Sequence, residues 1–134
     1  MNIKYYIATK QDKVGTAFTV ARYEENEFRS TYINKVATNG IDGMKDIVKW
    51  VIEQDSGKEY SMMSFKFKDV DIATQIGHYL DKDNEIKKLS KENKCTFFSS
   101  PATFAQDRHK MEKAQSALMS YLILREHYAK KERG

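Results

Sequence analysis

Cysteine occurs once in the 134 residues, at Cys95, so no disulfide can form within the chain, and a reducing compartment is the simpler setting. Proline occurs once, at Pro101, and glycine only six times. That leaves little material for a glycine-rich phosphate loop, and no Gly-x-Ser-x-Gly nucleophile elbow is present. No apolar run approaches the length of a membrane span. The opening Met1-Asn2-Ile3-Lys4-Tyr5-Tyr6 lacks the long apolar stretch of a secretory signal. Charge of one sign is also missing. Lys and Arg total 23 against 19 Asp and Glu, giving a net charge of +4 and a pI near 9.0. The two signs are interspersed, which permits a polyanionic partner without demanding one. Only Lys130, Lys131 and Arg133 around Glu132 are locally basic, and they read as a solvated tail. These absences predict a soluble, cytoplasmic chain with no membrane partner.

Eight Tyr, seven Phe and one Trp are enough to fill a core, and the length suits one domain. Ile3–Thr9 is rich in strand formers, with a break predicted at Gln11-Asp12-Lys13. Gly15–Tyr23 and Phe28–Val36 follow as strands around a polar tip at Glu24-Glu25-Asn26, and Asn39-Gly40 marks the next turn. Asp42 is the predicted cap of a first helix. Its Met44, Ile47, Val48, Val51 and Ile52 fall at the spacing of one helical face, and Gly57 ends it. Tyr60–Phe67 reads as a fourth strand. Asp69 or Asp71 caps a second helix with Ile72, Ala73, Ile76, Tyr79 and Leu80 on one side. Asp81–Asn93 reads as a charged helical extension and Cys95–Phe98 as a short strand.

Ser100-Pro101 then looks like a helix start, with serine as N-cap and proline at the first helical position. The helix predicted from there to about Lys131 would run roughly 45 Å. A compact domain of this size has a radius of gyration of about 14 Å. The expected fold class is α+β, or mixed α/β. It comprises a three-stranded antiparallel meander, then helix-strand-helix-strand and a long C-terminal helix. Residues 1–100 form the core, and 101–134 form the helix and basic tail of the same domain.

This order of elements, over roughly residues 3–120, resembles the ribonuclease H-like fold. The resemblance implies an aspartate in the middle of the first strand, a glutamate in the first helix and an aspartate at the end of the fourth strand, together holding metal ions. Ile3–Thr9 and Ser61–Phe67 contain no acid, although Asp69 follows the latter, and the first helix offers only Asp42 and Asp46. The expectation is a related fold without the hydrolytic centre.

Other constellations have plain readings. Asp81–Glu85 with Glu92 echoes a calcium loop, but Ile86 stands where that loop needs glycine. His78, His109 and His127 are too far apart for a helical zinc pair. Cys95 beside Thr96-Phe97-Phe98 reads as a buried, inert thiol. No catalytic residue, metal or cofactor is predicted. Candidate ligand-binding residues are Tyr6, Arg22, Arg29 and Tyr32 on the sheet, where aromatic and Arg side chains suit bases and phosphates. Trp50 joins them because it lies about 120° from the centre of the first helix's apolar stripe. Its plainer reading is rim packing. In the long helix, Phe104, Met111 and Leu118 repeat at seven residues, as do Ala114, Tyr121 and Tyr128. With Leu122 widening the seam, Met111, Ala114, Leu118, Tyr121, Leu122 and Tyr128 are candidate self-association residues.

The main functional expectation is a non-enzymatic binding protein, a homo-oligomer that binds or sequesters a nucleotide, nucleic acid or host protein. In size, lysine content and single proline the chain resembles small phage and mobile-element accessory proteins, which implies an antagonist of host defence. One alternative is a divergent metal-dependent nuclease of the ribonuclease H-like class, using Asp42, Asp46, Asp69 or Asp71. The other is a purely structural assembly protein.

Overall fold

The computed structural model of the chain describes residues 1–133. The side chains of Glu132 and Arg133, part of the expected basic tail, lie outside the described residues, as does Gly134. The chain opens with strands β1 (Asn2–Asp12), β2 (Gly15–Glu24) and β3 (Glu27–Val36). The β1–β2 ladder runs out to Asp12 opposite Gly15. Asp12 Oδ1 closes that turn by accepting the N–H groups of Val14 (2.8 Å) and Gly15 (3.1 Å). Gln11 and Asp12 therefore extend the strand rather than breaking it. The β2–β3 turn falls on the expected tip, where Glu25 and Asn26 have φ of 48° and 70°. Positive φ at both central residues suits the twist of a two-residue hairpin.

Helix α1 (Gly40–Gln54) buries Met44, Ile47, Val48, Val51 and Ile52, the stripe read from the sequence. It starts two residues before Asp42. Asn39 stands at the cap without capping, because its side chain donates to Asp12 O (2.7 Å) and accepts from Thr16 Oγ1 (2.9 Å). Strand β4 (Met62–Phe67) is followed by α2 (Val70–Lys82). Asp69 is the cap of α2, its Oδ1 accepting the N–H groups of Asp71 (2.8 Å) and Ile72 (3.2 Å). Helix α3 (Asn84–Asn93) is capped by Asp83, whose Oδ1 accepts from Ile86 N–H (3.0 Å), so the acidic run is a junction between helices. Strand β5 (Thr96–Pro101) and helix α4 (Ala105–Arg133) complete the described chain.

The expected helix start at Ser100-Pro101 is corrected. Both residues belong to β5, opposite Lys66 and Phe67 of β4. β5 is an edge strand, where proline's missing N–H costs no ladder bond, so pairing overrides the local cap signal. α4 begins four residues later.

The five strands lie in the order β3-β2-β1-β4-β5, antiparallel across the first three and parallel from β1 through β5. This is the expected mixed α+β architecture. The inward residues of β1, β2, β4 and β5, among them Ile3, Ile7, Phe18, Val20, Phe65 and Phe97, pack beneath α1, α2 and α3. On the other face, small side chains (Ala8, Ala17, Ala21) beside Tyr6 and Tyr23 let α4 approach closely through Met111, Ala114 and Leu118. At 29 residues α4 is about 43 Å long. It lies across β1, β2 and β3 and leaves the same face of β4 and β5 largely bare. No helix among the described residues is long and apolar enough to cross a membrane.

The apolar core contains one saturated polar knot. Asp55, just past α1, has a fully buried side chain. Its Oδ2 accepts from Tyr5 Oη and from Arg22 Nε (3.1 Å), and its Oδ1 from Tyr32 Oη (2.9 Å) and Lys58 Nζ (3.0 Å). Arg22 also donates to Tyr60 Oη (2.9 Å) and Ser30 Oγ (3.2 Å), and Tyr60 donates to Glu24 (2.6 Å). Burial alone would push the Asp55 carboxyl up. The Tyr5 and Lys58 hydrogen bonds, the Arg22 charge and the Tyr32 hydrogen bond outweigh it and hold the group below its ordinary range. Burial first, and then Asp55, push the Tyr5 and Tyr32 hydroxyls well above theirs.

Removing one partner of a buried ion pair typically costs about 3–5 kcal/mol. Asp55→Asn is expected to lose stability of that order in urea unfolding at pH 7. Because the folded carboxyl titrates below its unfolded value of about 3.9, the knot's contribution is full above that pH and fades as pH falls through the folded value. The gap between wild type and Asp55→Asn should therefore narrow below about pH 4. A constant gap would contradict the assignment.

Candidate functional site

β1 is antiparallel to β2 on one side and parallel to β4 on the other. After β4 the chain passes to α2 on one face of the sheet, and after β5 it passes to α4 on the opposite face. In open sheets with helices on both faces, such divergence opens a crevice outside the carboxyl ends of the strands. A cleft of about 300 Å³ sits there. Its floor comes from Ile7 and Thr9 of β1, Phe67 of β4 and Met44 of α1, and its α4 wall from Met111, Gln115, Leu118 and Leu122. Polar groups stand among these: Lys10, Lys68, Asp69 and Gln115. A second hollow, of about 260 Å³, shares Lys68, Met111 and Gln115 with the first and adds Ala102, Arg108 and Glu112. The two form one path along the sheet side of α4.

The positions that the ribonuclease H-like resemblance assigns to metal ligands can be tested here. The middle of β1 (Tyr5, Tyr6, Ile7) is tyrosine and isoleucine, and the cleft-facing residue of α1 is Met44. Among the described residues Asp69 is the only carboxylate lining the cleft, and one of its oxygens already caps α2. Asp42, Asp46 and Asp71 are exposed and line no part of it. Among the described residues no group of three or more His, Cys, Asp or Glu side chains can hold a metal ion. The donor set does not fit a pair of divalent cations.

The sequence-derived ligand residues do not meet in one site. Tyr6 is buried under α4, its hydroxyl donating to Asp107 Oδ1 (2.6 Å). Arg22 and Tyr32 belong to the Asp55 knot on the opposite face. Trp50 packs edge-on against Phe18 and Tyr32, each at 5.5 Å between ring centroids. Arg29 is exposed and paired with Glu24 (3.3 Å) and Glu27 (3.2 Å). Of the seam residues, Met111, Ala114 and Leu118 are buried against this chain's own sheet, and Tyr121 and Leu122 are partly buried beside them. Tyr128 is exposed, along with Ile123 and Leu124. The three histidines are exposed. Cys95 is buried, and burial pushes its thiol up. Sequence reasoning passed over Lys10, Lys68, Arg108 and Gln115, which are ordinary polar residues until the β1–β4 pairing and α4 bring them together. The one available signal was Asp69, whose place after the fourth strand marks the cleft's edge.

No protein-family model matches this chain, and no curated protein matches it in sequence. Solved structures do match. Ribonuclease H1 from the halophilic archaeon Halobacterium salinarum NRC-1 superposes with a TM-score of 0.56 at 10% identity, covering 88% of this chain and 94% of the other. An N-terminal ribonuclease H domain from Mycobacterium tuberculosis, fused to maltose binding protein, gives 0.50 at 7% identity, with 87% and 97% covered. A chain of the simian T-cell lymphotropic virus intasome, in complex with a PP2A regulatory subunit, gives 0.52 at 8% identity, with 96% of this chain and 41% of that chain covered. The expectation of a non-enzymatic protein is corrected by these neighbours, since two of them are ribonuclease H proteins of the same architecture. The order of elements, the sheet topology and these superpositions agree: this chain has a ribonuclease H-like fold.

Proposed function

We propose that this chain acts on nucleic acid, as a divergent relative of the ribonuclease H-like nucleases, and that a nucleic-acid strand enters the cleft at the carboxyl ends of β1 and β4. The carrying observation is that a fold shared with ribonuclease H proteins has its cleft rimmed by Lys10 and Lys68, with Arg108 in the adjoining hollow. These cations make no ion pair among the described residues, whereas Lys35, Lys49 and Lys58 elsewhere do. Phosphates would supply their missing counter-charges, and binding would weaken with salt. The carboxylates present support no metal-assisted step, so none is assigned. The expectations of a phage-type antagonist or a host-protein target find no support in the fold and are set aside.

The test is fluorescence anisotropy with labelled RNA, DNA and hybrid oligonucleotides, with the same samples run on denaturing gels with and without magnesium. Measurable, salt-sensitive binding is expected, weakened about tenfold or more by Lys10→Glu with Lys68→Glu. Absence of binding to every oligonucleotide would overturn the reading. Magnesium-dependent product that disappears in Asp69→Asn would add catalysis to the same cleft.

One observation favours a second reading, self-association. Beyond Leu122, α4 leaves Ile123 63% and Leu124 55% exposed, with Tyr128 one turn on. We infer that this end of α4 pairs with its counterpart in a second copy. Leu118 cannot test this, because at 5% exposure it belongs to the chain's own core. Ile123→Asp with Leu124→Asp is expected to turn a dimer into a folded monomer in native mass spectrometry. A monomeric wild type would refute the pairing.

A further inference from the structure

Resting on the nucleic-acid reading above, the geometry points to the bare half of the sheet as a platform for single-stranded nucleic acid, continuous with the cleft. On the sheet face that α4 partly covers, register places Lys4, Ser64 and Phe98 in one row, running from β1 beside α4 out to the bare β4 and β5. The next row runs from Tyr6, buried under α4, out to the half-buried Lys66 and Ser100. Phe98 is 46% exposed although it sits within a strand, while its neighbour Phe97, on the other face, is packed into the core. Lys110, on the wall of α4, spans the rings of Tyr6 (5.8 Å) and Tyr23 (5.1 Å) above the same rows.

Charge selects the occupant. Lys4, Lys66 and Lys110 make no ion pair among the described residues, and Lys68 and Arg108 continue toward the cleft with two cations against the single carboxylate Glu112. The one carboxylate buried beneath them, Asp107, is engaged by Tyr6. Burial pushes the Lys110 ammonium down, and Lys4 and then Lys66 push it further against the opposing pull of Asp107, which is how unneutralised neighbours behave. A polyanion relieves that repulsion. A sheet row that runs from a lysine through a short serine to an exposed aromatic ring at the edge strand suits single-stranded bases. Their faces are free to stack because they are not already stacked on neighbours inside a duplex. Duplexes offer the same phosphates but no open base face.

The experiment compares a labelled twelve-nucleotide oligouridine with a duplex of equal length, in anisotropy titrations over a range of KCl. Lys4→Glu with Lys66→Glu is expected to weaken single-strand binding at least tenfold. It should also reduce the slope of log K against log salt by about 1.4, at about 0.7 for each lost phosphate contact. Phe98→Ala should weaken single-strand binding about tenfold and leave duplex binding unchanged. Urea midpoints check folding, and Lys4→Gln with Lys66→Gln replaces the glutamate pair if its midpoint falls. Wild-type affinity in the platform variants, alongside loss in the Lys10 and Lys68 variant, would overturn the platform and leave the cleft reading intact. Equal losses for duplex and single strand in Phe98→Ala would also overturn it. No binding by the wild type would remove both.

Discussion

The fold hangs on a carboxylate shut away from solvent. Asp55 sits where α1 ends, at the negative pole of the helix, a poor place for an acid on dipole grounds alone. Two tyrosines and an arginine from three strands, together with the nearby Lys58, converge on it and fill its acceptor sites. The knot ties the end of α1 to β1, β2 and β3 together. It anchors one end of α1 against the sheet, while Met44, near the opposite end of that helix, contributes to the cleft floor.

The two faces of the sheet are built by different physics. Under α1, α2 and α3 the packing is aromatic and aliphatic, with stacked Tyr5 and Phe65 at 5.0 Å and Trp50 closing the rim. Under α4 the contact is narrow: alanines below, with Met111, Ala114 and Leu118 above and the Tyr6–Asp107 hydrogen bond beside them. A single helix of about 10 Å diameter cannot cover five strands spaced about 4.8 Å apart. The bare β4–β5 face follows from that mismatch, and the basic path from cleft to open sheet runs along its border with α4.

Local chemistry was legible where it decided the outcome. The stripe of α1 buried the residues its spacing named, Asp69 capped α2, and Glu25-Asn26 turned the hairpin. Ser100-Pro101 misled because a cap signal and an edge strand tolerate the same residues, and only the partner β4 distinguishes them. Tyr6, Arg22 and Tyr32 looked like one surface because they lie on neighbouring strands. The period-two alternation sends Tyr6 to one face and Arg22 with Tyr32 to the other. Asp55 and Asp107 carried no motif, since each depends on hydroxyls brought from far along the chain. The long helix was foreseen, but its seam was read as open, whereas the small residues of β1 and β2 receive it.

The pairing of β1 carries a kinetic consequence. Its antiparallel neighbour follows after a two-residue turn, so that half of the sheet can assemble from local contacts. Its parallel neighbour lies sixty residues away, Asn2 opposite Met62, with β2, β3 and α1 in between. Closing so wide a loop costs more chain entropy than closing the hairpins, which favours its forming after them. The seam at whose end the cleft opens is thus expected to form late in folding. Until it closes, β1 presents an unpaired hydrogen-bonding edge along its whole length, a template for any other strand that reaches it first.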